Sequence, residues 1–259
     1  MIGPHHTRDM KTYGQYCPIA RTSEFFAERW TPIIVRNLAA GCTTFSQLRE
    51  GAPGIPKALL AERLSVLERY GVIARTPRPK GRGSDYELTE SGHELKRVCD
   101  AMGEWGSRWL EIEPRHLEPA YVLWATCRLV DLDRVPRAGV VVRFDLPEPP
   151  TQRFWMLLRR PRAELCTAYP GREEDLIATI DAEALVQWNL RRTTFEELIN
   201  SGRCRLEGPP SLRRAFPSWL RPSPFAHVTP AQSTVRGGEG PIGAPSPTRT
   251  NQRKEVRAP

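Results

Sequence analysis

No stretch of the 259 residues approaches the ~18 uncharged apolar residues that a membrane-spanning helix needs. The start, Met1-Ile2-Gly3-Pro4-His5-His6, lacks a basic region followed by an apolar one, so no secretory leader is expected. None of the six cysteines (Cys17, Cys42, Cys99, Cys127, Cys166, Cys204) forms a CxxC pair or has a histidine at ligand spacing. A zinc site is therefore not expected, and the thiols read as reduced, in a cytoplasmic protein. The acids, His93 and His116 fall in no nucleophile, phosphate-loop or metal pattern, so no catalytic residue, metal or cofactor is expected, and the chain reads as a non-enzyme. Lysine is scarce: Lys11, Lys57, Lys80, Lys96 and Lys254 stand against 33 arginines. Residues 228–259 hold no Phe, Trp or Tyr, and this tail is expected to be disordered, because it has too little apolar surface to offset its ordering entropy.

What is present is a basic balance, 38 Lys+Arg against 30 Asp+Glu for a net +8, which suggests an anionic partner such as a nucleic acid or a membrane surface. The surplus is spread thinly, at 17 basic to 14 acidic residues over 1–116 and 16 to 14 over 117–227. An arginine habit of that kind follows coding composition as readily as function, so placement matters more than the sum.

The first region is punctuated by helix signals. Thr31-Pro32 reads as an N-cap followed by proline, opening a helix with Ile33, Ile34, Val35 and Leu38 that stops at Gly41. Thr44-Phe45-Ser46-Gln47 is a capping box before a short helix, and Gly51-Ala52-Pro53-Gly54 is a turn. Pro56 opens a third helix to Tyr70, with Leu60, Leu64 and Leu67 on one face and Ala58, Ala61, Glu62, Ser65 and Arg69 on the other. Val72–Thr76 and Asp85–Leu88 read as a hairpin whose segment 75–82 holds Arg75, Arg78, Lys80 and Arg82 and no acid. Thr89 caps a long helix in which Leu95, Val98, Met102, Trp105 and Trp109 recur at spacings of three and four. Short helix, turn, longer helix and basic hairpin describe a winged helix-turn-helix. Its outward helix face is small and polar enough for a major groove, and its hairpin is cationic enough to straddle phosphates.

Cys17-Pro18-Ile19-Ala20, Arg29-Trp30-Thr31, Phe45-Ser46-Gln47-Leu48, Pro53-Gly54-Ile55, Leu60-Ala61-Glu62-Arg63-Leu64 and Tyr86-Glu87-Leu88-Thr89 together resemble the HxlR-type winged-helix transcriptional regulators over residues 13–110. The resemblance implies a cytoplasmic prokaryotic homodimer on double-stranded DNA. Ser46, Lys57, Ala61, Arg63, Arg78, Lys80 and Arg82 are the candidate DNA contacts. Residues 95, 98, 102, 105 and 109 are the candidate dimer seam, being too apolar to leave exposed. The resemblance also makes Cys17 a candidate redox or electrophile sensor beside a helix start. A buried structural thiol is the alternative.

The second region alternates strand and helix signals. Val140–Phe144, Phe154–Leu158, Ala163–Cys166 and Leu176–Ile180 are strand candidates, Asp181 starts a helix, and Thr194-Phe195-Glu196-Glu197 is a capping box. Gly202, Leu206 and Gly208 then mark a strand before a terminal helix with Leu212, Phe216 and Trp219. This order is similar to sterol-carrier-protein-like domains over 137–221. It implies an apolar tunnel for which Trp155, Leu157, Trp188, Phe195 and Phe216 are candidate lining residues and an apolar small molecule the candidate ligand. The fold class expected is α+β: a flexible N-terminus (1–12), a winged helix-turn-helix domain (13–116), an α/β sterol-carrier-protein-like domain (117–227) and a disordered tail (228–259). A lipid or acyl carrier whose helical domain serves only to dimerise is the alternative function.

Overall fold

The computed structural model describes residues 12–78, 83–147 and 150–231. Lys80, Arg82, the first eleven residues and the tail from residue 232 lie outside the described residues.

The N-terminal domain is built from α1 (Pro18–Phe26), α2 (Thr31–Ala39), α3 (Phe45–Glu50), α4 (Lys57–Arg69), the antiparallel pair β1 (Ile73–Pro77) and β2 (Ser84–Leu88), and the 20-residue α5 (Glu90–Trp109). Each capping expectation can be compared with a bond. Thr44 accepts the Gln47 amide while the Gln47 side chain accepts from the Thr44 amide, a complete capping box, and Thr89 accepts the Gly92 amide at the head of α5. One expectation fails: Thr31 does not cap α2. The Ile34 amide bonds the Trp30 carbonyl, which puts Trp30 (φ 78°) at the cap and Thr31 inside the helix with its hydroxyl buried and unpartnered. The core gathers Phe25, Ile34, Val35, Leu48, Leu60, Leu64, Leu67, Val72 and Ile73. Leu60, Leu64 and Leu67 are the buried stripe that α4 was expected to present.

The C-terminal domain follows a single turn of 3-10 helix at Pro114–His116. It comprises α6 (Pro119–Arg128), β3 (Val140–Leu146), β4 (Gln152–Arg159), β5 (Arg162–Cys166), β6 (Leu176–Ile180), α7 (Ala182–Asn189), α8 (Phe195–Asn200), β7 (Cys204–Glu207) and α9 (Pro210–Ala215), which runs into a 3-10 turn at Phe216–Trp219. The five strands form one sheet in the order β5-β4-β3-β6-β7, antiparallel throughout except for the parallel pair β3–β6. Alternate residues face opposite sides of a sheet. Val140, Val142, Phe144 and Leu146, with Phe154, Met156 and Leu158, enter the core beneath the helices. Trp155 and Leu157 therefore lie on the other face, half-buried, beside the Arg143–Asp145–Glu174 ion pairs.

Helix α6 belongs to both cores. Val122, Leu123 and Cys127 pack into the sheet domain. Trp124, with Tyr121 and Ala125 against it, packs into the winged domain. The contact is close: a Cβ on Gly51 would collide with the Trp124 indole, so only glycine lets that ring lie flat on the turn. Arg36 locks the junction by donating to the Tyr121 hydroxyl (3.0 Å), the Gly51 carbonyl (2.9 Å) and Asn37 Oδ1 (2.8 Å). The expected division at 116/117 thus assigns to the second domain a helix that closes the first. A second tie comes from the chain after the sheet, where the Phe225 ring sits on Gly103 of α5 and the Ala231 amide bonds the Arg108 carbonyl (2.8 Å).

Candidate nucleic-acid interface

The helix-turn-helix consists of α3, the turn 51–56 and α4. Apolar residues at three- and four-residue spacing turn one side of α4 inward, which leaves Lys57, Ala58, Ala61, Glu62 and Ser65 exposed on the other. Ala58, Ala61 and Ser65 keep the middle of this face small enough for close approach to a base edge. Ser46 is exposed in the first turn of α3. Lys57 is exposed and enters no ion pair among the described residues, so its charge is available at the start of α4.

Arg63 behaves differently. Its guanidinium bonds Glu28 (2.9 Å) and Glu62 (3.2 Å) and reaches the Arg29 carbonyl (3.4 Å), so it fastens α4 to the α1–α2 turn and has its charge answered within the protein. Spacing alone placed it at the edge of the recognition face. The partner that turns it inward, Glu28, lies 35 residues away in sequence.

In the wing, Arg75 donates to the Ser84 hydroxyl (3.0 Å) and lies over the Tyr86 ring (5.9 Å to the centroid), both neutral partners, and it enters no ion pair among the described residues. Arg78 donates to Asp85 (2.9 Å), and its side chain remains about one-third exposed. Asp85 also forms a β-bridge with Thr44, and the Tyr86 amide bonds the Thr43 carbonyl (2.7 Å). The wing and the first helix of the motif are therefore one connected unit. Asp85 is the residue that sequence reading missed as a wing anchor; it lies in the return strand at a register position opposite Thr76.

The expected seam divides. Leu95 turns inward and packs against the winged core. Val98 (44% exposed), Met102 (52%), Trp105 (58%) and Trp109 (59%) remain on the outer face of α5, and Ile19 of α1 is exposed as well. Cys17 is the N-cap residue of α1 and is half-buried, whereas Cys42, Cys127 and Cys204 are buried. Burial pushes the Cys127 and Cys204 thiols up to about 12 and Cys99 up to about 11, so these three stay protonated at neutral pH.

The five expected tunnel residues do not come together. Trp188 meets Phe195 edge-on (5.1 Å between centroids), Phe195 meets Phe216 (5.6 Å) and Phe216 meets Trp219 (5.7 Å), a continuous aromatic packing inside the core. Trp155 and Leu157 are on the opposite face of the sheet, where Trp155 meets Tyr169 (5.9 Å). A cleft of about 630 Å³ lies elsewhere, between α3 and the wing on one side and α6 and β5 on the other. Among the described residues there is no cluster of three or more His, Cys, Asp or Glu suited to a metal ion, and no helix is long and apolar enough to cross a membrane.

Residues 25–114 match the HxlR-like helix-turn-helix family. The chain is similar to an uncharacterized HTH-type transcriptional regulator, sll1512, of Synechocystis sp., with 35% identity over 101 residues, 39% of this chain and 75% of that protein. It is similar also to the HTH-type transcriptional regulator YodB of Bacillus subtilis, with 31% identity over 97 residues, 37% of this chain and 87% of that one. A solved structure of diamide-treated YodB covers 35% of this chain and 91% of its own, at 32% identity and a TM-score of 0.31.

Proposed function

The chain belongs to the HxlR-like helix-turn-helix family through residues 25–114, and from that premise we propose that it is a homodimeric, cytoplasmic regulator that binds double-stranded DNA and is modulated through its C-terminal domain. The exposed polar face of α4, opened by Lys57 and flanked by the cationic wing, carries this reading. Helix α4 enters the major groove, Arg75, Arg78, Lys80 and Arg82 hold phosphates, and Ser46 approaches the backbone from α3. Arg63 supports the helix rather than the contact.

Dimerisation rests on the outer face of α5. Four large apolar side chains on a single helix face form a patch of the kind that monomers seldom expose. Pairing through α5, with Ile19 of α1 alongside, would set two α4 helices about one DNA turn apart, ~34 Å. The sheet domain keeps its proposed sterol-carrier-like kinship on the strength of its five strands and one-sided helical cover. The aromatic packing of Trp188, Phe195 and Phe216 argues against the carrier alternative, which needs an open apolar tunnel there. Cys17 is a second proposed input, favoured by its place at the N-terminus of α1 and its partial exposure. Cys17→Ser should keep DNA affinity and lose any response to quinone or peroxide, and a response that persists removes the sensor.

The test of the main reading is fluorescence anisotropy with DNA from the chain's own promoter region. The triple change Arg78→Ala, Lys80→Ala, Arg82→Ala should weaken binding by roughly 30-fold or more and lower the salt slope by about two to three. Affinity and slope unchanged in that variant would defeat the DNA reading.

A further inference from the structure

Beside the cleft between the domains lie two buried donors that find no partner among the described residues. Trp124 is almost wholly buried, and its indole N–H has no acceptor. Arg128, one helical turn further along α6, has a buried Nε without a partner, and its guanidinium lies over the Trp124 ring (5.4 Å). Both residues line the cleft. Buried donors left unmade are uncommon and costly, so each calls for an acceptor. The other arginines of the cleft are already answered, Arg78 by Asp85 and Arg162 by Glu164. Arg128 enters no ion pair among the described residues. Of the carboxylates nearby, Glu164 is held by Arg162 and Glu118 by the Tyr121 amide (2.7 Å), while Glu50 is exposed. The remaining wall combines apolar and aromatic residues, Pro53, Ala120, Tyr121 and Leu165 among them, with the polar Thr44, Ser46, Gln47 and Thr167.

We propose that this cleft is an effector site for a small apolar carboxylic acid, whose carboxylate meets the Arg128 guanidinium and the Trp124 N–H and whose apolar body fills the space between α6, β5 and the 51–56 turn. Ligand sites favour such domain junctions, where apolar walls meet convergent polar groups. The position supplies the coupling. One wall is α3 and Arg78, and Thr44, Asp85 and Arg78 are linked in series from the first helix of the motif to the wing. An anion bound there lowers the positive potential of the DNA-facing side and shifts the wing anchor, so the acid weakens DNA binding. The inference rests on the regulator reading for its consequence, though not for the binding itself.

The experiment therefore has two arms on the full-length protein. Calorimetry without DNA uses benzoate, 1-naphthoate, indole-3-acetate and octanoate, each beside its carboxamide. At least one acid should bind once per chain and at least about tenfold more tightly than its amide, as expected for a charge-assisted contact. Arg128→Met should lose about tenfold or more, and Thr167→Trp, which fills an exposed position on the cleft wall, should lose binding while melting like the wild type. Anisotropy with promoter DNA should then show affinity falling by about fivefold or more with the acid present, and no such fall in Arg128→Met. Binding by none of the four acids, or equal binding by Arg128→Met and the wild type, overturns the site. Acid binding with no DNA binding at all would sink the regulator reading and leave the site standing. DNA binding without acid binding would do the reverse.

Discussion

The winged domain (13–116) and the sheet domain (117–227) hold the same surplus of cations, 15 to 13 and 16 to 14, yet their surfaces differ in what they leave open. In the sheet domain nine arginines enter ion pairs: Arg134, Arg143, Arg153, Arg159, Arg160, Arg162, Arg203, Arg205 and Arg221. Its aromatic rings pack on one another. In the winged domain, Lys57 and Arg75 on the proposed DNA side face neutral groups or solvent, and four large apolar residues stand on the outside of α5. The sheet domain answers nine of its 16 arginines with its own carboxylates, whereas the proposed DNA side of the winged domain leaves Lys57 and Arg75 for partners. Net charge is blind to the distinction, because an arginine counts the same whether or not a carboxylate sits beside it.

That contrast can be tested from its largest consequence downward. Met102→Glu with Trp105→Glu should turn the proposed dimer into a monomer in light scattering and weaken promoter binding by about 100-fold or more, since a half-site contact forfeits most of the specific affinity. A variant that remains dimeric would place the seam elsewhere. Next in size is a matched pair of neutralisations. The wing triple change should cost roughly 30-fold in DNA affinity, whereas Arg153→Ala, Arg159→Ala and Arg205→Ala together, removing the same formal charge from the sheet domain, should change it by no more than about twofold at 0.15 M salt, where exposed charges beyond ~8 Å are screened. Equal losses would mean that total charge, not placement, drives binding.

Arg63 tests the comparison inside the winged domain itself. Its ion pairs with Glu28 and Glu62 predict that Arg63→Ala costs at most about 1 kcal/mol in denaturant unfolding and leaves the salt slope of DNA binding unchanged. A slope lower by about one would return it to the phosphate contacts. The smallest effect is a pH dependence in the sheet domain. The Arg221 guanidinium, bonded to Asp131, holds that carboxyl below its ordinary value of 3.8. A depressed folded pKa contributes stability that is present above the ordinary value and lost as pH falls through the lower folded one. The melting difference between the wild type and Asp131→Asn should therefore be full at pH 6 and fade below about pH 3.8. A difference that persists at pH 2 would assign it to something other than charge.

Local signals in the sequence were sufficient for the caps at Thr44, Thr89 and Thr194 and for the strand positions, because each depends on residues three or four apart or on a short apolar run. Facing was harder. Phe154-Trp155-Met156-Leu157-Leu158 is apolar at every position, so period-two alternation could not tell which parity meets the core; burial selects Phe154, Met156 and Leu158. Thr31 had the right residue type for a cap, yet the turn from Glu28 starts the helix one residue earlier. The cleft was invisible for a different reason. Its walls come from residues 44–53, 78, 118–128 and 162–167, which the packing of Trp124 on Gly51 and the Arg36–Tyr121 bond bring together.

The double allegiance of α6 bears on how this architecture could be moved from one protein to another. A graft cut between residues 116 and 117 would strip the winged half of the indole that seals its Gly51 turn, and would hand the recipient a sheet half with Trp124 projecting from it. The portable unit ends after α6. A chimera that carries α6 along with the first domain keeps Arg36 and Tyr121 together. The strap through Phe225 would still have to find a glycine as accommodating as Gly103 on the long helix.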